Sequence, residues 1–185
     1  ILDYRNELME VRDQGEQATC FAQSAACIKE WQEGKNNNFS EYFSPQFLYN
    51  QRFNKYDEDT TNDAGMYGRD LMRLLKNIGI CSEKMYPYGK IEDTSEISPE
   101  IYESAKKNII KSYATIHSLE KLKKSLYENG PCLIVFPVYN YSSEFWNQAV
   151  NEENLGGHVV TIVGYTEDGF ILRNSWGEHW GDKGY

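Results

Sequence analysis

Apolar residues recur at helical spacing from Cys20 to Gln32, where Phe21, Ala25, Ile28 and Trp31 share one face and Gly34 follows as a C-terminal cap. Ser44-Pro45 places a capping residue before a proline at the first helical position and opens a second helix through Arg52. A third helix is expected from about Arg69 to Ile78, with Leu71, Leu74, Leu75 and Ile78 apolar and Gly79 ending it. Ser98-Pro99 opens a fourth through Ile109. The pattern then changes. Ser112–Ile116 reads as a strand, Leu119, Leu122 and Leu126 mark a helix stopped by Gly130-Pro131, and Cys132–Tyr139 and His158–Tyr165 are β-rich. Glu167-Asp168-Gly169 turns the last of these back through Phe170–Asn174 as a hairpin. The expectation is one α+β domain over residues 1–185, mainly helical over about 11–90 and mainly β over about 110–185. Lys90–Ser98, polar and charged, is the expected flexible connection, and no internal repeat is present.

The candidate chemistry lies at the start of the first helix. A cysteine is a nucleophile only as its thiolate, so its pKa must fall from about 8.5, which a helix N-terminus and a neighbouring imidazolium both favour. Cys20 has the first of these, and His158, behind Gly156-Gly157, is the candidate for the second. A histidine in an apolar strand is ordinarily a core residue; the preceding glycines and the Asn174-Ser175-Trp176 run favour function here. His158 would protonate a departing amine, and the Asn174 amide would hold its ring in the tautomer this requires. Gln14, six residues before Cys20, offers a side-chain N–H that could join the Cys20 backbone N–H in stabilising an oxyanion, an arrangement worth about 3–4 kcal/mol per donor.

With these residues in this order, the chain resembles the papain family of cysteine peptidases. In that family His and Asn follow the cysteine by about 130–150 residues; His158 and Asn174 lie 138 and 154 residues after Cys20. The likeness extends through Gln14-Gly15, Met85-Tyr86-Pro87-Tyr88, Gly130-Pro131, Gly157-His158 and Asn174-Ser175-Trp176-Gly177-x-x-Trp180-Gly181-x-x-Gly184-Tyr185. Ser44-Pro45-Gln46-Phe47-Leu48-Tyr49, Asp63-x-Gly65-x-x-x-Arg69-Asp70 and Gly79-Ile80-Cys81-x-Glu83 look like a disulfide-poor microbial or viral branch. The resemblance implies a two-lobed fold with a cleft between a helical lobe carrying Cys20 and a β lobe carrying His158 and Asn174. It also implies a cysteine endopeptidase acting through a thioester acyl-enzyme, with a peptide or protein substrate and no cofactor or metal. Trp176 would shield the Asn174–His158 hydrogen bond from water.

The departures concern specificity. Gln17-Ala18-Thr19-Cys20-Phe21 stands where plant and animal members read Cys-Gly-Ser-Cys-Trp, so the partner cysteine of a family disulfide is missing. Gly65-Met66 replaces two adjacent glycines. Substrate contacts are expected at Gly65, Met66, Tyr67, Gly157 and Trp176, with the Met66 thioether and Tyr67 narrowing the subsites two and three residues before the scissile bond. His179, in the Trp-Gly loop, would edge the primed side, and His117 reads as a surface residue. The string reads as a processed or excised catalytic domain, with any inhibitory pro-segment outside it.

Composition narrows the partners. With 185 residues, 40% hydrophobic and 25% charged, the chain can bury one substantial core. A net charge of −9 argues against nucleic acid or an anionic membrane as the main partner, and no apolar run reaches the length of a membrane span. Cys27 lies on the face of Cys20 but about 10 Å along the helix, too far for a bridge. Cys27 and Cys132 read as buried small hydrophobes. Unpaired cysteines favour a reducing intracellular compartment, cytoplasmic or virion-associated, against which stand the glycosylation-type triplets Asn38-Phe39-Ser40 and Asn140-Tyr141-Ser142. No Cys-x-x-Cys or His-x-x-x-His pair suggests zinc. Two other readings stay open: a catalytically silent papain-like binding scaffold, and a Cys-His-Asn isopeptidase or acyltransferase.

Overall fold

The computed structural model describes residues 1–56, 63, 65–89 and 97–185, so most of the connection expected at Lys90–Ser98 lies outside the described residues. Helix α1 spans Cys20–Asn37 and runs straight through Gly34. The left-handed residue that closes it is Asn38, at φ 53°, a conformation asparagine tolerates better than most residues. The helix is held from outside on both sides of Gly34: Trp31 Nε1 donates to Glu7 at 2.8 Å and Lys35 pairs with Glu7 at 2.9 Å. Helix α2 spans Pro45–Tyr56 and α3 spans Gly68–Asn77. After α3, Gly79 adopts φ 86° and its N–H reaches the Leu74 carbonyl at 3.0 Å.

Helix α4, Pro99–Lys106, stops short of Ile109. Its last turn tightens, with Lys107 N–H bonding to Ser104 and Asn108 N–H to Ala105, and the chain then leaves to join α3 through Ile110 N–H and the Leu75 carbonyl at 3.1 Å. Ser112–Ile116 forms no strand. It is mostly exposed and borders an open groove with α1, α3, α5 and β2; among the described residues no strand pairs with it, so its β-favouring composition has nothing to act on. Helix α5 spans Leu119–Asn129, and its N-cap Ser118 accepts from the Lys121 N–H.

Four antiparallel strands form one sheet: β1 Leu2–Asp3, β2 Cys132–Val138, β3 Gly156–Tyr165 and β4 Phe170–Arg173. Strand β3 pairs with all three others. Two residues are too few to show a period, so β1 has no signature in the sequence. It closes against Gly164, where a Cβ would overlap the Leu2 carbonyl.

The helical core gathers Ala22, Ala25, Ala26, Phe43, Leu48, Tyr49, Leu71, Leu74, Leu75 and Ile80, and a second cluster joins Phe47, Cys81, Tyr86, Ile101 and Ala105. Each fully buried Leu, Ile or Phe stabilises the fold by about 1.5–3 kcal/mol. Alanines at 22 and 26 turn one face of α1 into the helical core, while the opposite face packs on β3, where Ser24 Oγ donates to the Val159 carbonyl at 3.5 Å. That approach sets the first turn of α1 beside the strand that carries His158.

Candidate active site

The loop leading into Cys20 is fastened at every turn. Gly15 takes φ 57° and donates to Asp13, Thr19 N–H bonds to the Gln17 carbonyl at 2.8 Å, and Ala18 N–H donates to Asp63 at 2.9 Å. Asp63 also accepts from the Tyr49 hydroxyl, which in turn accepts from Gly65 N–H at 3.2 Å. One carboxylate thus ties the nucleophile loop to the loop of Gly65, in a region where Gln17 has replaced a family cysteine. Tyr88 spans the same loop. Its hydroxyl donates to the Gln14 carbonyl at 2.9 Å and lies 2.7 Å from Thr19 Oγ1. Cys20 follows as the first residue of α1, half-buried, its sulfur within reach of the N–H groups of Phe21 and Val159.

His158 and Asn174 meet across the sheet and its edge. Thr161 pairs with Arg173 in the β3–β4 ladder, so the residue after β4 returns alongside His158. His158 Nε2 lies 2.7 Å from Asn174 Oδ1, and that same oxygen accepts from Ser175 N–H at 2.8 Å. A backbone N–H donates only to oxygen here, which fixes the amide orientation, and an amide oxygen only accepts, which places the imidazole proton on Nε2. Nδ1 is left as the free basic nitrogen of a neutral ring. Trp176 stacks on the imidazole with centroids 4.4 Å apart and 25° between planes, while Phe145 meets it edge-on at 5.4 Å. The His158–Asn174 bond is therefore enclosed by aromatic carbon.

Gln14 joins the two halves. Its N–H bonds to the Ser175 carbonyl at 2.8 Å, its Oε1 accepts from Ser175 Oγ at 2.6 Å, and its Nε2 donates to the Gln17 carbonyl at 2.8 Å. One amide hydrogen is engaged by Gln17; the second is the one left for a ligand.

The electrostatics differ from the sequence expectation of a depressed thiol. Burial pushes the Cys20 thiol above its ordinary value, with the N–H groups of Val159, Phe21 and Cys20 pulling the other way. Burial likewise holds His158 below 6.5, partly opposed by its bond to Asn174. Enclosure thus disfavours the charged form of each group, thiolate and imidazolium alike.

The expected substrate positions divide. Tyr67 is 73% exposed as the N-cap of α3, Gly65 sits at φ 83°, and Gly157 is exposed opposite Pro137 on β2. The expectation that the Met66 thioether borders the subsites is corrected: its side chain is 8% exposed and packs into the helical core. In a loop tied down by Asp63, apolar burial decides which way that side chain points. His117 and His179 are exposed. Cys27 is buried, as expected, but against Arg173 and Thr161 in a polar cavity and not among hydrophobes. Sequence reasoning assigned nothing to Phe145, Ser175, Tyr88, Asp63 or Gln23. Tyr88, Asp63 and Ser175 lay in stretches shared with the family but received no role, and for Phe145 the available signal was an apolar Phe145-Trp146 pair in the polar run 140–154.

An α+β fold that sets a cysteine at a helix N-terminus beside the strand bearing a histidine bonded to an asparagine is the architecture of a thiol peptidase. The papain family cysteine protease profile matches residues 1–185, and the chain belongs to that family. It is 33% identical to a cathepsin L-like peptidase of Aedes aegypti, over 95% of this chain and 53% of that protein. It is 29% identical to an uncharacterised peptidase C1-like protein of Acanthamoeba polyphaga mimivirus, over 94% of this chain and 62% of that protein. Among solved structures, xylellain, a cysteine protease from Xylella fastidiosa, superposes with a TM-score of 0.85 at 27% identity, covering 100% of this chain and 77% of the other. The chain spans about half to three fifths of the length of these curated relatives.

Proposed function

We propose that this chain is a cysteine endopeptidase that hydrolyses peptide bonds through a thioester acyl-enzyme. The observation that carries the reading is the enclosed His158–Asn174 bond, which leaves Nδ1 basic on the residue next to the Val159 amide that Cys20 approaches. In this mechanism Nδ1 takes the Cys20 proton as sulfur attacks the scissile carbonyl. The carbonyl oxygen, now negative, is stabilised by the Cys20 N–H and the spare Gln14 hydrogen. The imidazolium then protonates the departing amine, and a water activated by the same nitrogen cleaves the thioester.

The substrate is a peptide or protein segment in extended form, bound along Gly65, the Met66 backbone and Tyr67 on one side and near Gly157 and Trp176 on the other. An inhibitory pro-segment, where one accompanies the chain, would occupy the same cleft. Four unpaired thiols support a reducing compartment. A peptide-library digest read by mass spectrometry tests the function: internal cleavage by the parent and none by Cys20→Ala is expected. An inert parent, or equal cleavage by both, would overturn it.

A further inference from the structure

We propose that a small cavity behind Asn174 is the site of one ordered water molecule, through which Gln23 acts as a positioning residue for Asn174. The inference rests on Asn174 orienting His158, as proposed above. The cavity, about 10 Å³, is bounded by Gln23, Ser24, Cys27, Thr161, Arg173 and Asn174 among others. That volume is about the minimum that holds a single water, and the lining is polar enough to bind one.

Two buried side chains face this problem together. Gln23 and Asn174 are 3% and 4% exposed. Asn174 Oδ1 is committed to His158 and Ser175, while Asn174 Nδ2 and both amide atoms of Gln23 have no partner among the described residues. The Gln23 amide influences the Tyr88 hydroxyl but falls short of bonding geometry with it. Buried polar atoms without partners are rare in folded proteins, so Asn174 Nδ2 and Gln23 Oε1, on two residues lining one polar void, call for a shared one. A water there accepts from Asn174 Nδ2 and donates to Gln23 Oε1.

The consequence is positional. Gln23 lies on the first turn of α1, three residues after Cys20, and Asn174 follows β4. The water therefore links the helix bearing the thiol to the residue that aims the imidazole. Anchoring Nδ2 also opposes rotation of the amide, which would withdraw Oδ1 from His158.

A crystal structure of the parent at a resolution that orders waters, combined with kinetics on variants at position 23, tests this. Density is expected within about 2.7–3.2 Å of both Asn174 Nδ2 and Gln23. Gln23→Met should lower kcat about tenfold with KM unchanged, whereas Gln23→Glu, which keeps an oxygen acceptor, should stay within about twofold. A dry cavity, or a water that misses either amide, overturns the site whether or not the variants fold. A folded Gln23→Met with parental kcat, or equal losses in Met and Glu variants, overturns the positioning role. If Asn174→Ala leaves kcat untouched, the reading of Asn174 fails instead, and the water density stands apart from that result.

Discussion

Removing the Trp176 ring tests how enclosure governs the His158–Asn174 pair. The indole stacks at 4.4 Å on the imidazole and also touches Phe145, at 5.3 Å, and Trp180, at 5.8 Å. Trp176→Ala therefore opens the 2.7 Å His158–Asn174 bond to solvent from its broad face. A bond that competes with water loses about 1–1.5 kcal/mol of net advantage, which corresponds to about a tenfold fall in kcat. Burial is the leading cause holding His158 below 6.5, and the Asn174 bond opposes it. Relieving burial favours the imidazolium, so the His158 pKa rises toward 6.5. Protonated His158 cannot take the thiol proton, so the acid limb of kcat/KM moves to higher pH. Stability falls toward the lower part of the about 3–5 kcal/mol range for losing a large aromatic, because Trp176 is only half-buried. The assay is kcat/KM for a fluorogenic peptide across the acid limb, at a temperature where circular dichroism shows the variant folded. An acid limb that stays put or moves to lower pH would refute the role assigned to the indole.

Three further outcomes follow from the same contacts. Iodoacetamide under native conditions should label Cys20 well before Cys27, Cys81 and Cys132, as read by peptide mapping, because Cys81 is buried with its thiol pushed up to about 12 and Cys27 is fully enclosed. Gln14→Ala should lower kcat about 100-fold with little change in KM, since its spare hydrogen is assigned to the transition state; a loss confined to KM would contradict that. Gly79→Ala should destabilise the fold by about 2 kcal/mol or more in urea titration, because it forces a side chain into φ 86° and a Cβ onto the Ala105 carbonyl oxygen.

What the sequence carried and what it hid separate by range. Helices α1, α2, α3 and α5 and strands β2, β3 and β4 announced themselves through local spacing and punctuation, and their errors fall at ends that distant residues decide. Gly34 does not end α1, because Glu7 holds both Trp31 before it and Lys35 beyond it. Ile110 leaves α4 early for the Leu75 carbonyl, and Ser112–Ile116 has the composition of a strand without a partner. At the candidate site, Cys20, His158, Asn174 and Gln14 stood out by order and spacing, with the family likeness adding weight. Phe145, Tyr88, Asp63 and Gln23 did not, because each acts through a partner that only folding brings near: Tyr88 with Gln14 and Thr19, Asp63 with Ala18 and Tyr49. Met66 shows the converse. Its position was legible but its direction was not, since burial in the helical core decides that.

The central claim is that Cys20 carries the acyl group during turnover, and trapping that species tests it most directly. An activated ester substrate mixed with the chain and acid-quenched within the first turnover should give an intact mass increased by the acyl group. Peptide mapping should place it on Cys20 as a hydroxylamine-labile thioester, absent in Cys20→Ala. An acyl group on any other residue, or peptide cleavage by Cys20→Ala at the parental rate, would contradict the account.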